Sequence, residues 1–112
     1  MTLLEIFEKV NLVVPIEQRR FLNYFNDTVN ELNILYDGFV HESESEYIPP
    51  KDLSDSVDVL PLYHNAIVDN ILFMAGHDVE VRKSEFIRKS RLAHNKYWRD
   101  NAKGRRVKRM RW

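Results

Sequence analysis

The centre of the predicted fold is the stretch at positions 61–76, which reads PLYHNAIVDNILFMAG. Over 62–75 the apolar residues occupy nearly every face of a helix and leave a narrow polar strip of His64, Asn65 and Asp69. A helix that is apolar on nearly all sides is buried in the protein interior. The stretch opens with Pro, which suits a first helical position, and ends with Gly, which stops a helix. It therefore predicts a central buried helix.

Three further helices are predicted around this one. Thr2 and Glu5 have the spacing of a capping box at the start of the first helix, and Pro15 closes that helix. Apolar residues then recur at steps of three and four along the second helix. Asp78 is placed to cap the last helix. The four predicted helices cover residues 3–12, 16–39, 62–75 and 79–102.

The length and composition limit the chain to one small domain. The chain has 112 residues, a mass of 13.4 kDa and 44% hydrophobic residues, which are globular proportions. It has no Cys, which excludes a disulfide scaffold, a thiolate zinc site and a Cys nucleophile. No apolar run approaches the ~20 residues that span a bilayer, and the first residues lack the basic region of a secretory signal. We expect no membrane association and a cytoplasmic compartment by default.

The predicted fold class is all-α. We expect a small four-helix bundle over residues 1–102, with a long acidic loop between helices two and three. Residues 103–112 form a separate basic C-terminal tail.

The net charge of zero hides an asymmetry along the chain. Residues 1–60 hold four Lys or Arg and twelve Asp or Glu, whereas residues 61–112 hold thirteen and five, so the halves carry −8 and +8. Such polarity suits head-to-tail self-association or a docking tail. Neutralisation of one half by the other within the same molecule explains it equally well.

The apolar arc of helix two is too broad for a helix that packs on one neighbour. We expect this helix to contact two neighbours, either within the domain or in another subunit. Helix four has a narrower apolar stripe and a face rich in Lys and Arg. The candidate subunit-interface residues on helix two are Phe25, Val29, Tyr36 and Phe39.

The sequence carries no recognisable catalytic pattern. Its three Gly residues are isolated, no Ser lies in a Gly-x-Ser-x-Gly elbow, and the four His residues are at least 13 positions apart. The acids at 52, 55 and 58 lack the Gly and the final Glu of a calcium loop. Asp69 is the most notable single acid, and we interpret it as a polar-face residue or an inter-helix hydrogen-bond partner. We expect no enzyme activity, no cofactor and no metal.

Two charged segments are the clearest candidate functional regions. The loop is long for a small domain, and loops of such length are usually functional or disordered. The tail can place its cations on nucleic-acid phosphates, or dock on an acidic protein groove with its Trp as an anchor, or stay in water. The acidic loop residues are Glu42, Glu44, Glu46, Asp52, Asp55 and Asp58. The tail residues are Lys103, Arg105, Arg106, Lys108, Arg109, Met110, Arg111 and Trp112.

The order of these pieces resembles that of the head–tail connector (adaptor) proteins of tailed bacteriophages. The likeness covers about residues 2–100, and the Arg-rich end is not part of it. The strings that carry it are LLEIFEKV at 3–10, Pro15, FLN at 21–23, YIP at 47–49, DL at 52–53, LPLY at 60–63, GHD at 76–78, Phe86 and Tyr97.

The resemblance implies a structural protein of the virion, located in the neck between capsid and tail and assembled in the host cytoplasm. Such proteins form rings, usually twelve-fold, that bind the portal protein, continue the DNA channel and present a platform to a tail-completion or stopper protein. DNA passes without sequence recognition, and no catalysis or cofactor is implied. We expect the basic tail to dock on the portal and the acidic loop to lie near the channel or the next ring. The alternative is a small nucleic-acid-binding protein that uses the basic last helix and tail.

Overall fold

A computed structural model describes residues 2–36, 49–55, 59 and 61–102, and it describes side chains as far as Lys96. Within these ranges the chain is four α-helices with no strand, so the predicted all-α fold is confirmed. A turn of 3₁₀ helix leads into the third helix. The elements are α1 (Leu3–Val13), α2 (Gln18–Leu35), the 3₁₀ turn (Pro61–Tyr63), α3 (His64–Met74) and α4 (Val79–Ala102).

The start of α1 is the predicted capping box. The Thr2 hydroxyl accepts from the Glu5 amide at 3.2 Å, and the Glu5 carboxylate accepts from the Thr2 amide at 3.0 Å. These bonds satisfy amides that a helix start otherwise leaves without partners. Val14 is extended, as expected for a residue before Pro, and α1 ends at Val13.

The second helix is shorter at both ends than the 16–39 that its apolar periodicity predicted. Glu17 is extended, so α2 begins only at Gln18. At the other end Tyr36 leaves helical geometry with φ −125° and ψ 23°. Periodicity cannot locate this end because the apolar spacing continues past the point where the backbone leaves the helix. The predicted helical residues 37–39 lie outside the described residues.

The predicted central helix, α3, is in the middle of the bundle. The helices α1, α2 and α4 each pack chiefly on α3, which is why nearly all of its faces are covered. Tyr63, Phe21, Phe25 and Phe86 are the largest side chains in the core. The remaining buried apolar residues are Leu3, Ile6, Val10, Leu22, Val29, Leu32, Val59, Ala66, Ile67, Ile71, Leu72 and Ala93.

The turn from α3 to α4 depends on Gly76. This residue has φ +84°, a left-handed conformation that side chains with a Cβ adopt only with strain. Its amide donates to the Phe73 carbonyl, and the His77 amide donates to the Leu72 carbonyl, both at 3.0 Å, as in a Schellman motif. The motif ends α3 and directs the chain back along it, so α3 and α4 pair as antiparallel neighbours.

Candidate functional site

Asp52 and Asp55, the described members of the acidic loop set, lie in a turn that is attached to α2. The Asp55 carboxylate accepts from the Lys51 and Asp52 amides at 2.8 and 3.1 Å. The Asp52 carboxylate accepts from the Gln18 amide side chain at 3.2 Å. Both acids are exposed, and they hold the turn rather than converge on a common ligand position. Glu42, Glu44, Glu46 and Asp58 lie outside the described residues, as do all the tail residues from 103 to 112.

The candidate subunit interface on α2 requires a correction. Phe25 and Val29 have no exposed side-chain surface within the single chain, so they belong to the core and offer nothing to a neighbouring subunit. Tyr36 is half-buried against residues of its own chain. Phe39 lies outside the described part. Part of the breadth of the α2 stripe is accounted for inside the molecule, because α2 packs on α3 and Phe21 also contacts Phe7 of α1 edge to face. Leu35, which continues the apolar period of α2, is 53% exposed.

Asp69 forms a buried ion cluster between α3 and α4. Only 2% of the residue is exposed, and its carboxylate lies 2.9 Å from Arg82 Nη1 and 2.7 Å from Lys89 Nζ. Both cations lie on α4 and keep part of their surface in water. The interpretation of Asp69 as an inter-helix partner is therefore confirmed, with an ion pair added to the hydrogen bond.

Asn70, the next residue, joins three helices through a second polar network. Its amide nitrogen donates to the Thr28 hydroxyl at 3.0 Å, and that hydroxyl donates to the Tyr24 carbonyl at 2.7 Å. Its carbonyl oxygen accepts from Lys83 Nζ at 3.4 Å, and the same ammonium lies 2.9 Å from the Glu31 carboxylate. Asn70 and Thr28 are completely buried. The network fixes the position of α2 and α4 on α3, since a buried polar group without its partner is costly.

The end of α2 meets α4 and the 3₁₀ turn in a third polar junction. The Tyr36 hydroxyl lies 3.0 Å from Ser90 Oγ, and the Tyr36 ring stacks on His94 with centroids 4.4 Å apart. The hydroxyl of Tyr63 lies 3.3 Å from His94 Nδ1. Tyr and His side chains each contribute a ring surface and a polar atom here. We therefore interpret the junction as a packing contact that joins these elements.

His64 belongs to the polar strip that was predicted for the central helix. It is buried, and its Nε2 lies 3.0 Å from the Val59 carbonyl. The contact fastens the segment before the 3₁₀ turn onto α3. Sequence alone did not indicate this, because the partner is a main-chain atom.

The basic face of α4 is partly used within the molecule. Four of its cations pair with carboxylates, and two of these carboxylates, Glu31 and Asp69, lie on other helices. Arg91 and Lys96 are exposed, and no described carboxylate lies within ion-pairing distance of either. The paired cations are Arg82, Lys83, Arg88 and Lys89. The expected basic face is therefore reduced to a smaller free surface toward the C-terminal end of α4.

A shallow groove of about 290 Å³ lies where α4 crosses the 3₁₀ turn and the start of α3. Its apolar part includes Leu92, which is 56% exposed, and it is open to solvent on one side. Two lysines and an Asn supply its polar part. The residues that line it are Leu62, Asn65, Lys89, Leu92, Ala93 and Lys96.

The outer face of α1 is a second exposed apolar surface. Leu4, Glu8 and Leu12 follow one another at intervals of four and share this face. Leu12 is 87% exposed, Leu4 is 46% exposed, and Glu8 is exposed between them. Within the described chain no cation lies within ion-pairing distance of Glu8.

The described residues form no group of three or more His, Asp or Glu that could hold a metal ion. Among the same residues, no helix combines the length and apolar character that crossing a bilayer requires. No family model, curated protein or solved structure matches this chain.

The network of Asn70 and the two exposed surfaces were not predicted from the sequence. Two consecutive polar residues inside the apolar run AIVDNILF at 66–73 were the available signal for Asn70. No signal in the sequence indicates the groove, because it forms from residues about 30 positions apart that meet only after α3 and α4 pair.

Proposed function

We propose that this protein is a structural component of a phage neck, a non-catalytic subunit of a ring that joins the portal to the tail and continues the DNA channel. The observation that carries the proposal is how the bundle uses its polar side chains. Asp69, Asn70 and Lys83 brace helices against one another, while exposed apolar side chains of α1 and α4 face outward. A rigid scaffold with apolar surfaces for neighbours is what such a ring subunit needs.

Charge would orient the subunit in the ring. A dozen acidic loops near the lumen would repel DNA phosphates and let the genome pass without sequence recognition. A dozen basic tails in the lumen would bind DNA and resist its movement. The proposal therefore assigns residues 103–112 to the portal and the acidic residues, including the exposed Asp52 and Asp55, to the channel or the next ring.

The proposal implies three protein partners: further copies of this chain, the portal protein, and a tail-completion or stopper protein below the ring. It places the protein in the virion neck after assembly in the host cytoplasm.

The decisive experiment mixes the purified chain with candidate portal rings and measures the mass of the complex by native mass spectrometry. The expected mass is one portal ring with about a dozen added copies, arranged as a ring by electron microscopy. Absence of any complex, or binding of one or two copies only, contradicts the proposal.

Nucleic-acid binding is the second candidate, and it is favoured by Arg91 and Lys96, which are exposed and have no ion-pair partner among the described residues. It predicts that the isolated chain binds DNA or RNA with an affinity that falls steeply as salt rises. Fluorescence anisotropy with a labelled duplex and a single strand at two salt concentrations separates the candidates, since the ring needs no such binding.

A further inference from the structure

The outer face of α1 has the pattern of a docking helix. Leu4 and Leu12 lie eight residues apart, about 12 Å along the axis, with Glu8 halfway between them. Leu12 is the most exposed large apolar side chain in the described chain. The other acid near this face, Glu5, is engaged with Thr2, so Glu8 is the carboxylate that is free to pair with an outside cation.

The α4 groove matches this face in its apolar surface and in the sign of its charge. It offers the apolar surface of Leu62, Leu92 and Ala93, and its volume of about 290 Å³ suits aliphatic side chains rather than a large cofactor. Lys96 at its edge has no described carboxylate within reach, whereas Lys89 is already paired with Asp69. The groove therefore offers apolar surface and a cation with no described ion-pair partner, and the α1 face has leucines and a carboxylate to match them.

The two surfaces belong to different helices that each pack chiefly on α3 rather than on one another. One molecule can therefore present both at once, one surface to each of two neighbours. A contact between two different surfaces is heterologous, and its repetition gives a closed ring or an open filament.

We propose that the α1 face of one copy docks in the α4 groove of the next, with Leu12 against Leu92 and Glu8 beside Lys96. This interface rests on the proposed ring and names the surface that would build it. Apolar contact supplies the affinity, and the Glu8–Lys96 pair sets the orientation.

Cross-linking tests the geometry directly because the chain has no native Cys. The variants Glu8→Cys and Lys96→Cys are mixed in equal amounts and treated with a short bis-maleimide. The reaction is run once with the free proteins at about 1 mM and once with the proteins bound to portal rings. We expect a cross-linked dimer in the mixture and at least ten times less with either variant alone. The matched control replaces Glu8→Cys by Asp27→Cys, an exposed acid on α2. No cross-link, equal cross-linking in the control, or linkage of each variant mainly to itself overturns the interface.

A second measurement uses Leu12→Asp and Leu92→Asp, with the exposed Ile34→Asp on α2 as the control. Each interface variant should weaken self-association at least tenfold in sedimentation velocity, while the control changes it less than twofold and all three retain their helical circular dichroism. In an equal mixture of the two interface variants, the intact α1 face of Leu92→Asp can still dock in the intact groove of Leu12→Asp. The other two surfaces are disrupted, so the mixture should form dimers and nothing larger. Unchanged association, or assemblies beyond the dimer in that mixture, overturns the proposal.

The outcomes also separate this interface from the neck role. A specific cross-link without any portal complex supports the interface and contradicts the neck role. A portal ring without the cross-link contradicts the interface and leaves the neck role standing.

Discussion

Asp69 is a charged residue in the interior of a small bundle, and its surroundings explain how it is tolerated. Burial of a lone carboxylate is expensive, and close cationic partners offset part of that cost. Arg82 and Lys89 are these partners, and both remain partly hydrated. Because they lie seven residues apart on α4, one carboxylate fixes α4 at two points about two turns apart.

The variant Asp69→Asn should lower the free energy of unfolding by about 2 kcal/mol, since it leaves two cations without their counter-charge. Urea denaturation measures this change. The control Asp27→Asn removes an exposed acid from α2 and should change the same quantity by less than about 0.5 kcal/mol. Equal changes in the free energy of unfolding for the two variants would contradict a stabilising role of the Asp69 ion pairs.

Glu5 gives the fold a small dependence on pH. The Thr2 amide, and then the Thr2 hydroxyl, hold the pKa of the Glu5 carboxyl below its ordinary value. A lowered folded-state pKa means that the stabilisation is present above the unfolded-state pKa and is lost as the pH falls through the folded one. Thr2→Val removes the hydroxyl and keeps the amide, so it should raise the Glu5 pKa part of the way toward its ordinary value, whereas Thr2→Ser should leave it low. A carbon-13 NMR titration of the carboxyl measures both, and an unchanged pKa in Thr2→Val contradicts the prediction.

At the scale of elements, the ends of the helices were predicted best where a local motif, such as a capping box or a Gly, marks the end. The capping box placed the start of α1 correctly, and the Gly at 76 placed the turn before α4. The end of α2 was missed because Leu35 and Phe39 continue the apolar period, and periodicity carries no information on where the backbone leaves the helix. Tertiary contacts decide such an end.

The polar interior was harder to predict than the helices. Asp69 was noticed because its neighbours are apolar, but its partners on α4 lie 13 and 20 residues further along the chain. Which residues meet depends on how α3 and α4 align after the turn, and helical spacing within one element does not contain that alignment. The groove beside α4 was missed for the same reason, because its lining comes from the 3₁₀ turn, α3 and α4.

A double-mutant cycle should measure how strongly α2 and α3 are joined by Thr28 and Asn70. Thr28→Val leaves the buried Asn70 amide without its nearest acceptor and should lower the free energy of unfolding by about 1 to 2 kcal/mol. Asn70→Leu should cost a similar amount. The double variant should lose less free energy of unfolding than the two single variants added together, by at least about 0.5 kcal/mol. The reason is that both side chains are then apolar, so neither leaves a buried polar partner behind.

The control cycle combines Thr28→Val with Ser90→Ala. The Ser90 hydroxyl contacts Tyr36 and is not part of the Thr28–Asn70 network. These effects should add, and additivity in the Thr28–Asn70 cycle itself contradicts the network.

At the scale of the whole molecule, the ion pairs among the described residues join the acidic and the basic half of the chain at one point. Glu31 from the acidic half pairs with Lys83 from the basic half. Asp69 and Glu85 pair with cations of their own half. The tail carries six of the positive charges and no acid. This excess of positive charge in the sequence makes the tail a candidate for docking on an acidic partner.

Deletion of residues 103–112 should leave the free energy of unfolding within about 0.5 kcal/mol of the full chain, because every core residue named above precedes the deletion. Binding to portal rings, measured by surface plasmon resonance, should weaken at least tenfold. Trp112→Ala alone separates the aromatic anchor from the charge. Unchanged portal binding by a folded deletion variant contradicts the docking role of the tail.

The pairing of α3 with α4 across a turn of four residues, 75–78, also bears on how the chain reaches its fold. Contacts between adjacent helices require little loop closure, and topologies dominated by such contacts fold fast. The two remaining helices must instead be brought to α3 across the whole interval from residue 36 to 60. We therefore expect the helical hairpin to be the folding nucleus, and a newly synthesised chain can complete its core only when this later-made half is available.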